Sequence, residues 1–331
     1  MPDLTRKPRL GFLGTGWIGR HRMAAMLSTG AVEAAAICDP SPDCADAARE
    51  LAPDAAVLPD LPALLGAGLD GLVIATPSAL HAEQAVAALD AGLPVFCQKP
   101  LGRSGPEVRT VVDAARRADK LLGLDLSYRF TAGMAAIRER MGELGPVFAA
   151  DLVFHNAYGP DKGWFYDPKL SGGGCVVDLG VHLVDLALWA LDWPEVAHVE
   201  SHLLAGGRPL ADPAREVEDY AVATITLTSG APIRLACSWR LPAGQEAVIG
   251  ASFYGADGGA EFRNVGGGFY DFEANLLRGT TREPLASGSD DWGGRAAADW
   301  ARRLAAGERF SEDAERFVAV ADVLDRIYGR V

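Results

Sequence analysis

Asp178 and His182 stand four residues apart in the stretch SGGGCVVDLGVHLVDLALWAL, Ser171 to Leu191. On a helix that spacing makes them neighbours on one face. An imidazole with a reference pKa of about 6.5 is mostly neutral at pH 7 and can take a proton. A carboxylate one turn away can orient the ring and stabilise the imidazolium that forms. The same spacing equally fits a surface Asp–His pair worth a few tenths of a kcal/mol. The rest of the stretch is apolar, with Leu179, Leu183 and Leu186 marking a neighbouring face. Gly172, Gly173 and Gly174, just before the helix, permit close backbone approach to something, as at a helix that starts at the floor of a cleft. With two candidate ligands and no third nearby, no metal site is expected.

A second set lies near the N-terminus. Gly14, Gly16 and Gly19 form G-x-G-x-x-G between a short apolar run, Leu10 to Leu13, and a helix-like segment. The first glycine permits the tight turn, the second lets backbone approach a pyrophosphate, and the third allows helix to pack on strand. Thr15, Trp17 and Ile18 fill the loop, and the helix start offers free N–H groups to phosphate. Asp39 ends the next strand, VEAAAICDP. A carboxylate there accepts hydrogen bonds from a ribose diol and repels a 2′-phosphate, so NAD is expected over NADP. A helix-capping Asp39 after a plain glycine turn is the other reading.

Further candidates follow later strands. Thr76, Pro77 and Ser78 come after GLVIA, and Gln98 and Lys99 come after PVFC. The proline after Lys99 ends the strand ladder at a fixed turn. Lys99 fits a functional cation or a solvated surface residue equally well. His81 fits a cofactor contact or a capping histidine.

The elements that must position these residues follow from periodicity. Continuously apolar strands alternate with helices up to LLGLDL, as in a doubly wound parallel sheet with ligands at the strands' C-terminal edge. In SALHAEQAVAALDAG the expected inward face is Ala82, Ala85, Val86 and Leu89. After Tyr128 the pattern changes to period-2 strands. Ala221, Ala223, Ile225 and Leu227 share one face of one strand, and Ile233, Leu235, Cys237 and Trp239 one face of the next. The expected fold is α/β: an N-terminal Rossmann domain over residues 1–126, then an α+β domain over 127–331 with a large open, mostly antiparallel sheet. The C-terminal helices fit packing on either domain.

The formal net charge of −13 speaks against nucleic acid and anionic membranes as partners. Five scattered cysteines without a CxxC give no disulfide or zinc framework, and a reduced, cytoplasmic chain is expected. The N-terminus is basic but lacks an apolar signal-peptide core, and no run approaches about 18 uninterrupted apolar residues.

Three stretches, in this order, resemble the Gfo/Idh/MocA oxidoreductases, the glucose–fructose oxidoreductase and inositol dehydrogenase group. These are the glycine fingerprint with Asp39; ATPSALHAEQAVAALDAGLPVFCQKPLG; and SGGGCVVDLGVHLVDLALWAL. The resemblance implies a Rossmann domain plus a domain whose open sheet is often buried in dimers or tetramers. It implies oxidation of a secondary alcohol of a sugar or cyclitol to a ketone, or the reverse, with NAD as cofactor. Lys99, Asp178 and His182 fall on the family's catalytic positions. His182 would remove the hydroxyl proton, Lys99 would bond the same oxygen, and Asp178 would orient His182 and hold a neighbouring hydroxyl. Thr76, Pro77, Ser78, His81, Gln98, Lys99 and Arg129 would face the cofactor. Arg129, His155, Asn156, Trp164 and Tyr166 would join the catalytic three around the substrate. Two positions depart from the family pattern. Gln98 replaces the usual Glu, which removes a negative neighbour of Lys99, and Ser78 replaces the usual Asn. A redox-neutral NAD-dependent glycosidase and a noncatalytic NAD-binding regulator of the same fold stay open, although the Lys/Asp/His set is intact.

Overall fold

The computed structural model describes residues 6–330; Met1–Thr5 and Val331, at the outer limits of the two expected domains, lie outside the described residues. The chain forms two compact units, one running to Asp125 and including Gly294–Val318, the other comprising Leu126–Gly293 and the residues from Ala319.

In the first unit, strands β1 (Arg9–Leu13), β2 (Glu33–Cys38), β3 (Ala56–Val57), β4 (Gly71–Ile74), β5 (Val95–Cys97) and β6 (Leu122–Leu124) form one sheet in the order β3-β2-β1-β4-β5-β6. All of its pairs are parallel. Helices α1 (Trp17–Ser28), α2 (Pro42–Arg49), α3 (Leu61–Leu65), α4 (Ser78–Asp90) and α5 (Gly105–Ala118) make the crossovers. The order reverses between β1 and β4, where Leu13 lies beside Ile74, so the glycine loop and Thr76 leave the sheet together. A ligand crevice forms at such a switch point. The local signals explain the helix limits. Ser41 caps α2 by accepting from Cys44 N–H, with Pro42 at the first position. Ser104 accepts from Glu107 N–H at the start of α5, while Glu107 takes the Arg103 N–H at 2.8 Å. In α4 the buried stripe is His81, Ala85, Ala88 and Leu89, so the helix is rotated from the expected face and carries His81 inward.

The second unit opens with α6 (Ala132–Arg140) and β7 (Val147–Asn156), followed by the short α7 (Pro168–Ser171) and α8 (Val181–Ala190). Strands β8 (Val196–Ala205), β9 (Arg208–Pro209), β10 (Tyr220–Leu227), β11 (Pro232–Ser238), β12 (Ala247–Gly255), β13 (Gly259–Asn264), β14 (Phe272–Arg278) and β15 (Thr281–Ala286) complete it. The sheet order is β15-β14-β13-β12-β7-β11-β10-β8-β9, antiparallel except where β11 runs parallel to β7. Ala221, Ala223, Ile225 and Leu227 are buried as their alternation requires, and so are Ile233, Leu235, Cys237 and Trp239. The helix α8 packs on β7, β11 and β12. The helical run Pro168–Ala190 has a mean hydropathy of 1.4 and the length of a membrane span, but 89% of that window is buried inside the protein. It is a core helix.

Two expectations need correction. The second domain does not hold all of residues 127–331. Helix α9 (Arg295–Ala305) belongs to the first unit, because its Trp300 is buried against Phe96, with ring centroids 5.8 Å apart, and over the bare backbone of Gly71 and Gly123. The last helix, α10 (Glu315–Ile327), starts in that unit and ends in the other. Nor is the segment from Cys175 a plain α-helix. Val176–Gly180 is a π-helical turn that leads into α8. The wider i→i+5 turn carries Asp178, and His182 stands in the first turn of regular helix; such turns concentrate at functional sites.

Candidate active site

The first unit offers a cradle for a dinucleotide. Gly14 takes a left-handed φ of +84°, and a Cβ there would meet the Ala75 carbonyl oxygen at 2.6 Å. A Cβ on Gly19 would run into the Gly14 carbonyl. A Cβ on Gly16 would meet nothing within 4 Å, so this residue faces open space. Gly16 is also the N-cap of α1 and gives no side-chain cap, which leaves the helix N–H groups available to a pyrophosphate. Trp17 is exposed and Ile18 half-buried at the head of that helix. Asp39, half-buried at the end of β2, is held in place: Oδ2 accepts from Thr15 N–H at 2.6 Å and Oδ1 from Ser41 N–H at 2.9 Å. The fully buried Thr15 therefore ties the acidic residue to the glycine loop. The residues present fit the adenosine half of a dinucleotide.

Four expected cofactor contacts, His81, Gln98, Thr76 and Arg129, also make bonds within the fold. His81 is 1% exposed, with Nδ1 2.6 Å from the Pro100 carbonyl oxygen and Nε2 2.6 Å from that of Thr76. It braces the turn after β4 to the turn after β5. Burial pulls its pKa below the ordinary histidine value, against the pull of the two carbonyls. Gln98 donates through Nε2 to Asp125 Oδ2 at 2.7 Å and accepts the Lys99 backbone N–H at 2.9 Å. Asp125 is buried and takes Arg22 Nε on the same oxygen at 2.5 Å. The carboxylate absent from position 98 is thus supplied two bonds away, and Lys99 is half-buried at the end of this chain. Thr76 donates to Gln84 Oε1 at 2.6 Å, Pro77 is exposed, and Ser78 is buried at the start of α4. Arg129, in the second unit, donates through Nε to Asp185 Oδ2 at 2.6 Å and through Nη2 to Oδ1, and its guanidinium lies 5.0 Å over the Trp193 ring. It neutralises a buried acid of α8.

The second unit gathers the acid–base candidates. Asp178 is half-buried, and its Oδ2 accepts from Trp239 Nε1 at 3.0 Å. His182 is 8% exposed and lies among rings, with Tyr128 at 4.9 Å and Phe154 at 6.3 Å between centroids. Tyr128 is itself packed against Trp292 and Phe272. His155 bonds Ser238 Oγ through Nδ1 at 2.8 Å and stacks on Tyr220. Burial lowers its pKa, so it is neutral near pH 7. Asn156 follows at the end of β7 with Oδ1 buried and no hydrogen-bond partner among the described residues. Trp164 stacks on Phe165 at 3.8 Å, and Tyr166 sets its edge 5.6 Å from Trp239. The Tyr166 hydroxyl donates to the Pro160 carbonyl at 2.9 Å and accepts from Arg240 at 3.2 Å.

The glycine triplet has a definite partner. Glu218 is fully buried and its carboxylate accepts Gly174 N–H at 3.0 Å, Val176 N–H at 2.8 Å and the Tyr328 hydroxyl at 2.7 Å. Its main-chain oxygen accepts Cys175 N–H at 3.1 Å. A Cβ on Gly174 would collide with that oxygen, and one on Gly173 with the Tyr328 hydroxyl. Glu218, Trp239, Ser238 and Asp125 were not singled out in the sequence. Asp125 and Trp239 left a signal, a charge inside an apolar strand run and a ring closing an inward row; Glu218 and Ser238 left none.

Two family models match the chain: the oxidoreductase family with an NAD-binding Rossmann fold over residues 8–126, and the Gfo/Idh/MocA C-terminal domain over residues 135–261. The D-glucoside 3-dehydrogenase of Escherichia coli K12 is 30% identical over 272 residues, which is 78% of each chain. Among solved structures, levoglucosan dehydrogenase in complex with NADH and levoglucosan superposes with a TM-score of 0.81 at 20% identity, covering 98% of this chain and 97% of that one. A 3-ketoreductase from Actinomadura kijaniata in complex with NADP and TDP-benzene gives 0.82 at 21% identity, covering 98% of each. With the glycine cradle in one unit and the Asp178/His182 helix in the other, the chain belongs to the Gfo/Idh/MocA family of NAD-binding oxidoreductases.

Proposed function

We propose that this enzyme interconverts a secondary alcohol and a ketone on a sugar, a sugar derivative or a cyclitol, with NAD preferred to NADP. The observation that carries the reading is the helix start at Asp178 and His182: a carboxylate fixed by an indole N–H, and a buried imidazole packed among rings. His182 takes the hydroxyl proton as the carbonyl forms. Asp178 orients the ring and offsets its charge. Lys99 stabilises negative charge developing on the substrate oxygen. Bound NAD supplies the hydride acceptor. His155, neutral by burial, and the buried Asn156 Oδ1 suit hydroxyl groups, while Trp164 suits the apolar face of a sugar ring. Relatives named for a glucoside and for levoglucosan support the substrate class. Asp39 beside the glycine loop supports NAD.

The outward row of the large sheet, with Val222 and Tyr254 exposed, is proposed to bury against a second copy in a dimer or tetramer, which light scattering tests. Five free thiols fit a cytoplasmic setting. The enzymatic reading is tested by reduction of NAD across a panel of glycosides, free sugars and inositols. Turnover that disappears in His182→Ala supports it. A panel-wide absence of turnover in the unaltered protein sinks it.

A further inference from the structure

We infer that Trp239 is a positioning residue of this site, holding the Asp178 carboxylate in the orientation that His182 needs. The inference rests on the reading of Asp178 and His182 as the acid–base pair.

The indole has one polar group, a donor-only N–H. In this buried ring, 3% exposed, that donor lies 3.0 Å from Asp178 Oδ2. The body of the ring packs edge-on to Phe165 and Tyr166, with centroids at 6.3 and 5.6 Å. The ring body fills the space beside these two aromatics, and the N–H adds a directed bond to the carboxylate. A bond from a rigid ring to one carboxylate oxygen restrains rotation about the Cβ–Cγ bond. The same restraint acts on its other oxygen.

Both ends of this bond are fixed by two consecutive residues. Glu218 holds the backbone N–H groups of Gly174 and Val176, which sets the helix start that carries Asp178. The main-chain oxygen of Asp219 accepts the backbone N–H of Trp239 at 2.8 Å, which anchors the backbone that carries the indole. The residues flanking Trp239 reach the other substrate-side candidates. Ser238 bonds His155 at 2.8 Å, and Arg240 bonds the Tyr166 hydroxyl at 3.2 Å. The segment Ser238-Trp239-Arg240 thereby ties itself to Asp178, His155 and the aromatic loop, which precede it by 61, 83 and 74 residues.

The test is Trp239→Phe in the full-length protein, which deletes the N–H and keeps an aromatic body. Two readouts are taken. The first is kcat on the best sugar of the panel, expected to fall roughly tenfold with KM for NAD unchanged. The second needs no turnover: the titration midpoint of His182, followed by NMR, is expected to move down when the orienting carboxylate is released. An unchanged kcat, or an unchanged midpoint, overturns the inference. A midpoint that moves in a protein inactive on every sugar overturns the reading of the site while the Trp239–Asp178–His182 link stands, so the two failures are told apart.

Discussion

Glu218 accepts the backbone N–H of Val176 at 2.8 Å, and through the same oxygen the hydroxyl of Tyr328 at 2.7 Å. A fully buried carboxyl group thus sits at the first turn of the helix that carries the acid–base pair, where an anion is favoured by the helix dipole and by N–H donors. Burial works the other way and raises its pKa above the ordinary 4.5, against the bonds from Val176, Tyr328 and Gly174. A carboxyl group with a raised folded-state pKa favours folding fully below its unfolded value. That contribution is lost as the pH climbs through the folded value. Glu218→Gln removes the titration and keeps one acceptor oxygen. Relative to the unaltered protein, the variant should therefore gain stability between about pH 4 and about pH 8. Urea midpoints of both proteins at the two pH values decide it; a gap that stays constant or moves the opposite way refutes the sign.

Two glycines should respond oppositely to alanine. At Gly174 a Cβ collides with the Glu218 carbonyl, which is backbone and cannot yield cheaply. Gly174→Ala should cost about 3 kcal/mol or more, or prevent folding. At Gly16 a Cβ meets open space, so Gly16→Ala should fold with an unchanged thermal midpoint. It should weaken NAD binding about tenfold, because the added methyl stands where backbone approaches the pyrophosphate. Thermal unfolding and a cofactor titration on both variants check the contrast.

The cradle was legible in the sequence because its rules are local. A left-handed Gly14, an uncapped helix start and an acidic residue at the next strand end are each set by a few neighbouring residues. Strand faces were legible for the same reason, since alternation is a short-range pattern. His81 shows the limit. Its spacing to Ala85, Ala88 and Leu89 places it on the buried stripe, but its two carbonyl partners come from turns after different strands. Glu218 shows the limit more sharply. Nothing near it distinguishes it from Glu216, because its burial is decided by glycines 44 residues away. The π-helical turn was missed because the reading of Asp178 and His182 assumed 3.6 residues per turn throughout.

Asp39 should set the choice of cofactor. Its two oxygens already accept from Thr15 and Ser41, which holds the charge at the mouth of the glycine loop. A 2′-phosphate brought there meets a like charge, at a cost of a few kcal/mol before solvent screening. Asp39→Asn keeps the size and one acceptor and removes the charge. The ratio of kcat/KM for NAD to that for NADP should fall at least about tenfold, chiefly through KM. A ratio that does not change would assign the preference to other residues.

Gln98 and Asp125 should prove interdependent. In the unaltered protein one Asp125 oxygen takes both Arg22 Nε at 2.5 Å and Gln98 Nε2 at 2.7 Å, with Asp125 and Arg22 buried and Gln98 half-buried. Gln98→Glu sets a second carboxylate against the first beside the Arg22 guanidinium, and the like charges favour uptake of a proton by one of them. Asp125→Asn alone leaves the buried Arg22 short of its counter-charge, which costs about 3 kcal/mol or more. The double variant restores one negative charge beside Arg22 with the two side chains exchanged. Thermal unfolding should show each single variant well below the unaltered protein and the double variant above both. If the two single losses simply add up in the double variant, the pair does not share the charge, and the place of Gln98 beside Lys99 needs another explanation.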